Sequence, residues 1–504
     1  KQKGITLIAL VITIIVLIIL ASITIGTLNG DNGILKNAGK AKEDTEISDE
    51  KEIISIATVK AMGKNNKGNL EEDEFQQELN NEIEKEGAVE VTDIGEEFEV
   101  LFTESSRYYT VSKNGDISEA KEMIKDNSPA DISTGKDGEE LEGRYEIWSI
   151  EDLVVLSNIS KGKGNYIKNG EITDITTNYR FEGDTIYLMR TLNFNSAASY
   201  SDLSMTWSYD AEKDTYIIDE SSDKNLREIL TDKEGVGFIP ISDFNLASHW
   251  FTGIFDGQNN EIQNLYENRT GGGGLFVGIT GATIKNLGIT NVSINATGDA
   301  GGIVRNSLGN NNLYNCYVSG NISGSGNVSG LASISSLTTT KIINCYNSAN
   351  IQSTERAGGL VSYSDRGNNI TIENCYNIGN VSTSSTSTNQ QYNSVSGILG
   401  GTYHTGTRKI INTVNMGNLS APKLDVHTIY YDNQGDTVQI ENCYYLNSIE
   451  PDKTIINENS IEFTRNDEEV LNSLNEYVNA HKNDNEVELC NWIFDSNGLL
   501  TFEK

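Results

Sequence analysis

A mainly β fold, with a parallel β-helix standing behind a long hydrophobic N-terminal α-helix and a small α+β segment, is what these 504 residues predict. Three observations lead there. Positions 5–26 form an uncharged aliphatic run, two short motifs recur together in the second half, and the segments between the motifs are short, β-branched and broken by Asn, Gly and Ser. With 22% charged and 37% hydrophobic residues, the chain has enough apolar surface to build cores instead of staying disordered. The formal net charge of −34 repels phosphate and excludes nucleic acid as a partner. Between Gly271 and Asn447, eight acids meet eight bases, so the acidity lies in the flanking segments. There it reads as a solvated surface, as repulsion from an anionic cell wall, or as a place for cations.

The front of the chain comes first. Twenty-two helical residues, 5–26, reach about 33 Å, the thickness of a lipid hydrocarbon core. In lipid a single segment can pair all its amides only as a helix, which overrides the modest helix propensity of Ile and Val. Lys1 and Lys3 precede the run and acids crowd 43–52 beyond it, so the N-terminus is expected in the cytoplasm and the bulk outside. Gly26, Asn29, Gly30, Asp31 and Gly33 break the helix. It resumes over 34–62, where Ile47, Ile53, Ile54, Ile56 and Val59 suggest one buried stripe. A short acidic helix is expected over 70–86, then strands near 89–91, 98–102 and 108–111.

Residues 126–143, with Pro129 and several glycines, read as a linker. Tyr145 to Leu153 lead into an apolar stretch that predicts a short capping helix, and residues 185–188 a strand. Residues 195–237, rich in charge, read as an external excursion. Then the repeat begins. Asn315-Cys316-Tyr317, Asn344-Cys345-Tyr346, Asn374-Cys375-Tyr376, the degenerate Asn412-Thr413-Val414 and Asn442-Cys443-Tyr444 follow at intervals of 29, 30, 38 and 30 residues. A second motif keeps pace at Gly274-Leu275-Phe276, Gly302-Ile303-Val304, Gly330-Leu331, Gly359-Leu360-Val361 and Gly397-Ile398-Leu399. Two motifs locked to one period mean stacked coils of a parallel β-helix. Glycine is expected to make the bends, Ile, Val, Leu and Cys to point inward, and Asn or Ser to hold the corners. The polar stretch 382–393 accounts for the longer interval. An amphipathic helix over 467–479 and a hairpin through 495–498 are expected to cap the open strand edge of the solenoid.

Two families are similar to parts of this sequence. Lys3-Gly4-Ile5-Thr6-Leu7-Ile8 resembles the processing site of type IV prepilins. That resemblance implies cleavage after Gly4, Ile5 as the mature N-terminus, and a helix that anchors the subunit in the membrane before packing in a filament. The sequence departs from the family at Ala9, where a glutamate usually pairs with a neighbouring subunit's terminal amine. Packing would then rest on apolar contact, which suits a minor pilin, a divergent filament or a permanent anchor. The segment from Tyr145 onward resembles the glycine-rich GLUG repeat modules of cell-surface proteins of the Gram-positive type. The organisation expected is a leader remnant at 1–4, an N-terminal helix at 5–62, a pilin-like α+β domain at 63–125, a linker at 126–143, a solenoid lead-in and cap at 144–270, repeats at 271–450 and a C-terminal cap at 451–504.

Chemistry is sparse. Cys316, Cys345, Cys375 and Cys443 hold equivalent repeat positions, so their side chains should form one column of the core. In-register stacking gives parallel Cβ vectors, a poor disulfide geometry, so a reduced stack is expected. No Cys-x-x-Cys, paired-histidine, nucleophile-elbow or phosphate-loop pattern occurs. If the solenoid carried a polysaccharide-cleaving groove, Asp299, Asp365, Arg305 and Arg366 would be its candidates. No cofactor is implied. Calcium would find oxygens at Asp243, Asp256 or the Asp495-Ser496-Asn497 turn, but their spacing matches no known calcium loop. The function expected is a structural or adhesive subunit at the cell surface or in an extracellular filament, with the membrane and other copies of itself as partners. The alternatives are a membrane-anchored monomer that binds polysaccharide or a host surface, and a carbohydrate-active enzyme.

Overall fold

The computed structural model describes residues 34–503, apart from 65–69, 84–87, 96, 103–104, 106, 123–131, 133–142, 169, 244–246, 337–338, 365–368, 390–392, 402–405, 432–436, 448–453 and 483. The processing positions Gly4, Ile5, Thr6 and Ala9, the apolar run, and most of the expected linker lie outside the described residues. Among the described residues no helix is long and apolar enough to cross a membrane. The chain divides into two compact units, residues 1–123 and 124–504.

In the first unit, α1 (Ile34–Lys64) and α2 (Glu72–Ile83) pack on an antiparallel sheet. Its strands β1 (Val89–Asp93), β2 (Glu97–Phe102), β3 (Arg107–Ser112) and β4 (Lys121–Glu122) follow one another as a meander. The buried stripe of α1 is not the one its largest residues suggest. Val59 is 69% exposed and Ile56 also faces outward, whereas Ile54, Ala57 and Ala61 are buried against Phe75, Phe98, Val100 and Tyr109. Small alanines let the helix approach the sheet. Glu50, on the same stripe, accepts hydrogen bonds from Arg107 Nε at 2.9 Å and Nη2 at 3.0 Å and from the Tyr109 hydroxyl at 2.6 Å. A forked guanidinium with a second donor satisfies a carboxylate that burial alone would penalise.

The second unit is mainly β and holds a parallel β-solenoid of about six turns. Its lead-in starts at the strand Arg144–Ile147, followed by α3 (Ile150–Lys161). A capping box starts α3: Ser149 Oγ accepts from Asp152 N, and the Asp152 carboxylate accepts from Ser149 N. Gly162, with φ 68°, ends it in the left-handed region. Residues 195–237 are not an external excursion. They form a hairpin, Trp207–Asp210 with Thr215–Ile218, and α4 (Leu226–Thr231). Trp207, Tyr216, Leu226 and Leu230 join α3 and the first coils in one apolar cluster. The charges between them hid the apolar minority, which never forms a run.

Each coil contributes in-register parallel strands to its neighbours. One inner row stacks Ile294, Ile322, Ile351, Val381 and Leu419. Another stacks Ala300, Val328, Ala357, Val395 and Val426. Asparagine holds the corners as expected, but of the motif glycines expected to make the bends only Gly274, with φ 138°, takes a positive φ. Gly302, Gly330, Gly359 and Gly397 do not occupy the left-handed region; the corner residues that do are Asn286, Asn315, Asn344, Asn374, Asn412 and Asn442, with φ between 48° and 55°. Asparagine tolerates that region because its short polar side chain bonds locally. The glycines serve close approach: a Cβ on Gly330, Gly359 or Gly397 would strike the next coil's backbone and the inward side chains of Asn347, Asn377 and Asn415.

The C-terminal segment also differs from expectation. α5 (Glu468–His481) and the hairpin Trp492–Phe494/Leu500–Phe502 lie along the flank of the coils. Val470, Leu474, Trp492 and Phe502 cover Tyr314, Ile343, Tyr376, Val414 and Tyr444, which come from successive coils. This lateral clasp buries outward-facing apolar side chains that a β-solenoid cannot shelter inside itself.

Asn374 carries four bonds of this arrangement, to Asn344, Asn412, Trp492 Nε1 and the Cys490 carbonyl. Asn374→Ala should therefore cost on the order of 4 kcal/mol, from unpaired buried partners and the left-handed backbone. Asn374→Gly should cost about 1–2 kcal/mol less, because only the backbone term is relieved. Urea unfolding midpoints decide this; equal and small losses would contradict it.

Candidate functional site

The Asn-Cys-Tyr motif places three side chains in three environments. Cys points inward. Cys316, Cys345, Cys375 and Cys443 are fully buried, and all five cysteines are free. Cys316 N donates to Cys345 Sγ at 3.3 Å and Cys345 N to Cys375 Sγ at 3.4 Å, so the thiols help satisfy the turn amides. Burial raises the thiols of Cys316, Cys345 and Cys443, the last to about 12. Tyr points outward. Tyr317, Tyr346 and Tyr376 stack with ring centroids 4.9 and 4.6 Å apart and planes within 4°.

Asn forms a ladder along the corner. Nδ2 of each residue donates to Oδ1 of the one before, from Asn442 through Asn412, Asn374, Asn344 and Asn315 to Asn286, at 2.6–2.9 Å. A carboxamide has two donor hydrogens and two acceptor lone pairs, so the ladder spends half of each. Over four coils the clasp takes the spare hydrogen: Asn344 donates to Glu488 O, Asn374 to Cys490 O, Asn412 to Leu474 O and Asn442 to Ser473 O. It also uses spare oxygens, Cys490 N donating to Asn344 Oδ1 and Trp492 Nε1 to Asn374 Oδ1. At Asn286 and Asn315, among the described residues, no clasp group does so.

Those two asparagines line a cleft of about 460 Å³ where the clasp ends. Its floor continues through Asn259, Tyr317 and Tyr346, and its rim is Thr501, Phe502 and Glu503. Tyr317 donates its hydroxyl to Glu261 Oε1 at 2.5 Å, and burial first, then that carboxylate, pushes the phenol's pKa up. None of the described lining residues is cationic. The cleft can therefore exchange hydrogen bonds with an uncharged polar ligand, and its described lining offers no cation to neutralise an anion.

Of the sequence candidates for other chemistry, only Asp299 and Arg305 are seen to meet among the described residues. Arg305 pairs with Asp299 at 3.3 Å, and Asp299 also accepts from Asn327 N and Nδ2. Asp365 and Arg366 lie outside the described residues. Asp243 pairs with Lys163, Asp256 with Lys285, and Asp495 accepts from the amides of its own turn, so the calcium candidates sit in three separate places. Among the described residues no three of His, Cys, Asp and Glu meet where they could hold a metal ion. A second ionisable group lies in the lead-in. Glu267 is fully buried, accepts from Gly274 N and is raised by burial to about 8, with Arg269 and Lys161 opposing the rise. Lys161 is lowered to about 7 by burial and by Arg269.

No family model matches the chain, and no curated protein matches it. Among solved structures it is similar to a protein of Bacteroides ovatus described as a "putative immunoglobulin A1 protease", with 18% identity, a TM-score of 0.43, and coverage of 71% of this chain and 92% of that one. A likeness at that level carries no argument about this chain.

The sequence showed the tyrosines and asparagines as a repeat but not as a cleft. At the cleft the clasp meets Asn344 and Asn374 from more than a hundred residues downstream, a distance no local pattern announces.

Two outcomes follow. A thiol reagent should count at most one reactive cysteine in the native protein, the partly exposed Cys490, and five in denaturant; fewer than five in denaturant without reductant would reveal a disulfide. For Glu267, a raised folded pKa means the native state holds the proton more tightly. Its contribution to stability is complete below the unfolded carboxylate value and is lost as pH rises through about 8. Glu267→Gln should melt like the wild type at pH 5 and higher than it at pH 9; an equal difference at both values would contradict the assignment.

Proposed function

We propose that this chain is a pilin-like surface subunit, held in the membrane or in a filament through its apolar front end and displaying a β-solenoid outside the cell. The observation that carries the reading is α1. Seven residues separate it in sequence from the 22-residue apolar run, and it lays Ile54, Ala57 and Ala61 on a small antiparallel sheet, leaving Ile56 and Val59 outward. A helix that serves its own head on one face and keeps apolar residues on another suits packing against copies of itself. The Lys3-Gly4-Ile5 site supports processing after Gly4, and Ala9 supports packing by apolar contact alone.

A second reading, a membrane-tethered monomer that binds polysaccharide, is favoured by the cleft of amides and phenols on the solenoid flank, whose described lining holds no cation. The two readings share the displayed solenoid and differ in self-assembly. Of the groove residues an enzyme would need, Asp299 and Arg305 are engaged with each other, which favours binding over cleavage.

N-terminal sequencing of the mature protein from its native host, with electron microscopy of the shed surface fraction, tests the proposal. Chains beginning at Ile5 and filaments containing them are the expected result. An intact Lys1-Gln2-Lys3-Gly4 on a protein that is never found in filaments would replace the first reading by the second.

A further inference from the structure

The clasp shows what the asparagine ladder does with its free half. Wherever clasp backbone passes, each carboxamide gives it one hydrogen, and at Asn344 and Asn374 also receives one. Asn286 and Asn315 belong to the same ladder, with the same left-handed backbone at φ 53°. Asn286 spends one hydrogen on Asp256 Oδ1, and Asn315 one on Asn286 Oδ1. Each keeps one donor and one acceptor side by side, open to the cleft. Such a pair complements two neighbouring hydroxyl groups, one donating to Oδ1 and the other accepting from Nδ2.

The rest of the cleft narrows the ligand. Phe502 stands edge-on to Tyr346 and Tyr376, with centroids 6.3 and 5.0 Å away, and gives an apolar wall suited to the carbon–hydrogen face of a sugar ring. The Tyr346 hydroxyl has no protein partner among the described residues and adds a further donor beside that wall. With no cation among the described lining residues and Glu503 at the rim, an anionic ligand is disfavoured. The ladder repeats at the coil spacing of about 4.8 Å, close to the advance of one sugar along an extended β-linked chain. The volume of about 460 Å³ lies within the range of roughly 300–1,000 Å³ for small-ligand pockets. An extended peptide could use the same amides, but its alternate side chains would need pockets in the floor, which here is a row of amides and phenols.

We infer that the flank cleft binds a neutral, extended β-linked glycan, holding hydroxyl pairs with Asn286 and Asn315 and seating a sugar face against Phe502. The inference rests on the displayed-solenoid reading and not on filament formation, so a chain that never assembles leaves it standing.

Calorimetric titration of the full chain, held in a zwitterionic detergent without a sugar headgroup, tests it. The probes are cellohexaose, chitohexaose, an oligogalacturonide of similar length, and a peptide copying residues 486–492. Saturable binding of at least one neutral hexaose is expected. Tyr346→Phe, which removes only a hydroxyl, should weaken it about tenfold at an unchanged melting temperature. Asn315→Asp, which removes the donor, should weaken it more, while Asn380→Ser, on the exposed amide row of another corner, should leave it unchanged. The inference is overturned if neither neutral hexaose binds, if Tyr346→Phe binds as well as the wild type, or if the oligogalacturonide or the peptide binds more tightly.

Discussion

A single coil of this solenoid has no inside. Its apolar residues become buried only when the coils above and below close over them, and its amides are paired only across the same two boundaries. The inner rows meet this constraint with Ile, Val, Leu and Cys at equal heights, and the corners meet it with asparagine. At each corner one residue must both take a left-handed backbone and bond to its equivalents in the neighbouring coils. Glycine could do the first and serine part of the second. Asparagine does both, and its unused donor and acceptor then face outward from every coil.

That outward half links fold and function. Over four coils it holds the clasp, whose carbonyls, indole and hydrophobic side chains tie segments distant in sequence into one body. Past the end of the clasp the same chemistry is open to solvent, next to a tyrosine stack and the ring of Phe502. A structural repeat thus becomes a recognition surface where its covering stops. The fully buried thiols beneath it are fixed by packing and have no access to exchange partners.

How much of this the sequence disclosed depends on the range of the interaction. The Cys316 and Cys345 motifs and the Gly330 and Gly359 motifs keep one period, and periodicity alone places them in stacked coils. The role of those glycines is not legible there, because a missing Cβ looks the same in a sequence whether it allows a bend or a close approach. Glu50 is a charged residue in a helix crowded with charges, and nothing local marks it as the partner of Arg107 and Tyr109. Trp207 and Leu226 were masked by the acids and lysines around them. The helix and hairpin at the C-terminus were visible as elements, but their seat on the flank depends on pairings such as Asn344 with Glu488 that only the folded chain brings together.

The central claim is that the coils stand or fall together, stacked on one another and bound laterally by the clasp. Native-state hydrogen exchange, resolved by peptide along the full chain, tests it most directly. The account predicts that amides near Cys345, Cys375 and Val414, which lie beside the ladder and bond from coil to coil, open with one shared free energy close to that of global unfolding. Coils that exchange independently of one another, or backbone at Asn344 and Asn374 that exchanges as fast as an unfolded chain, would contradict it.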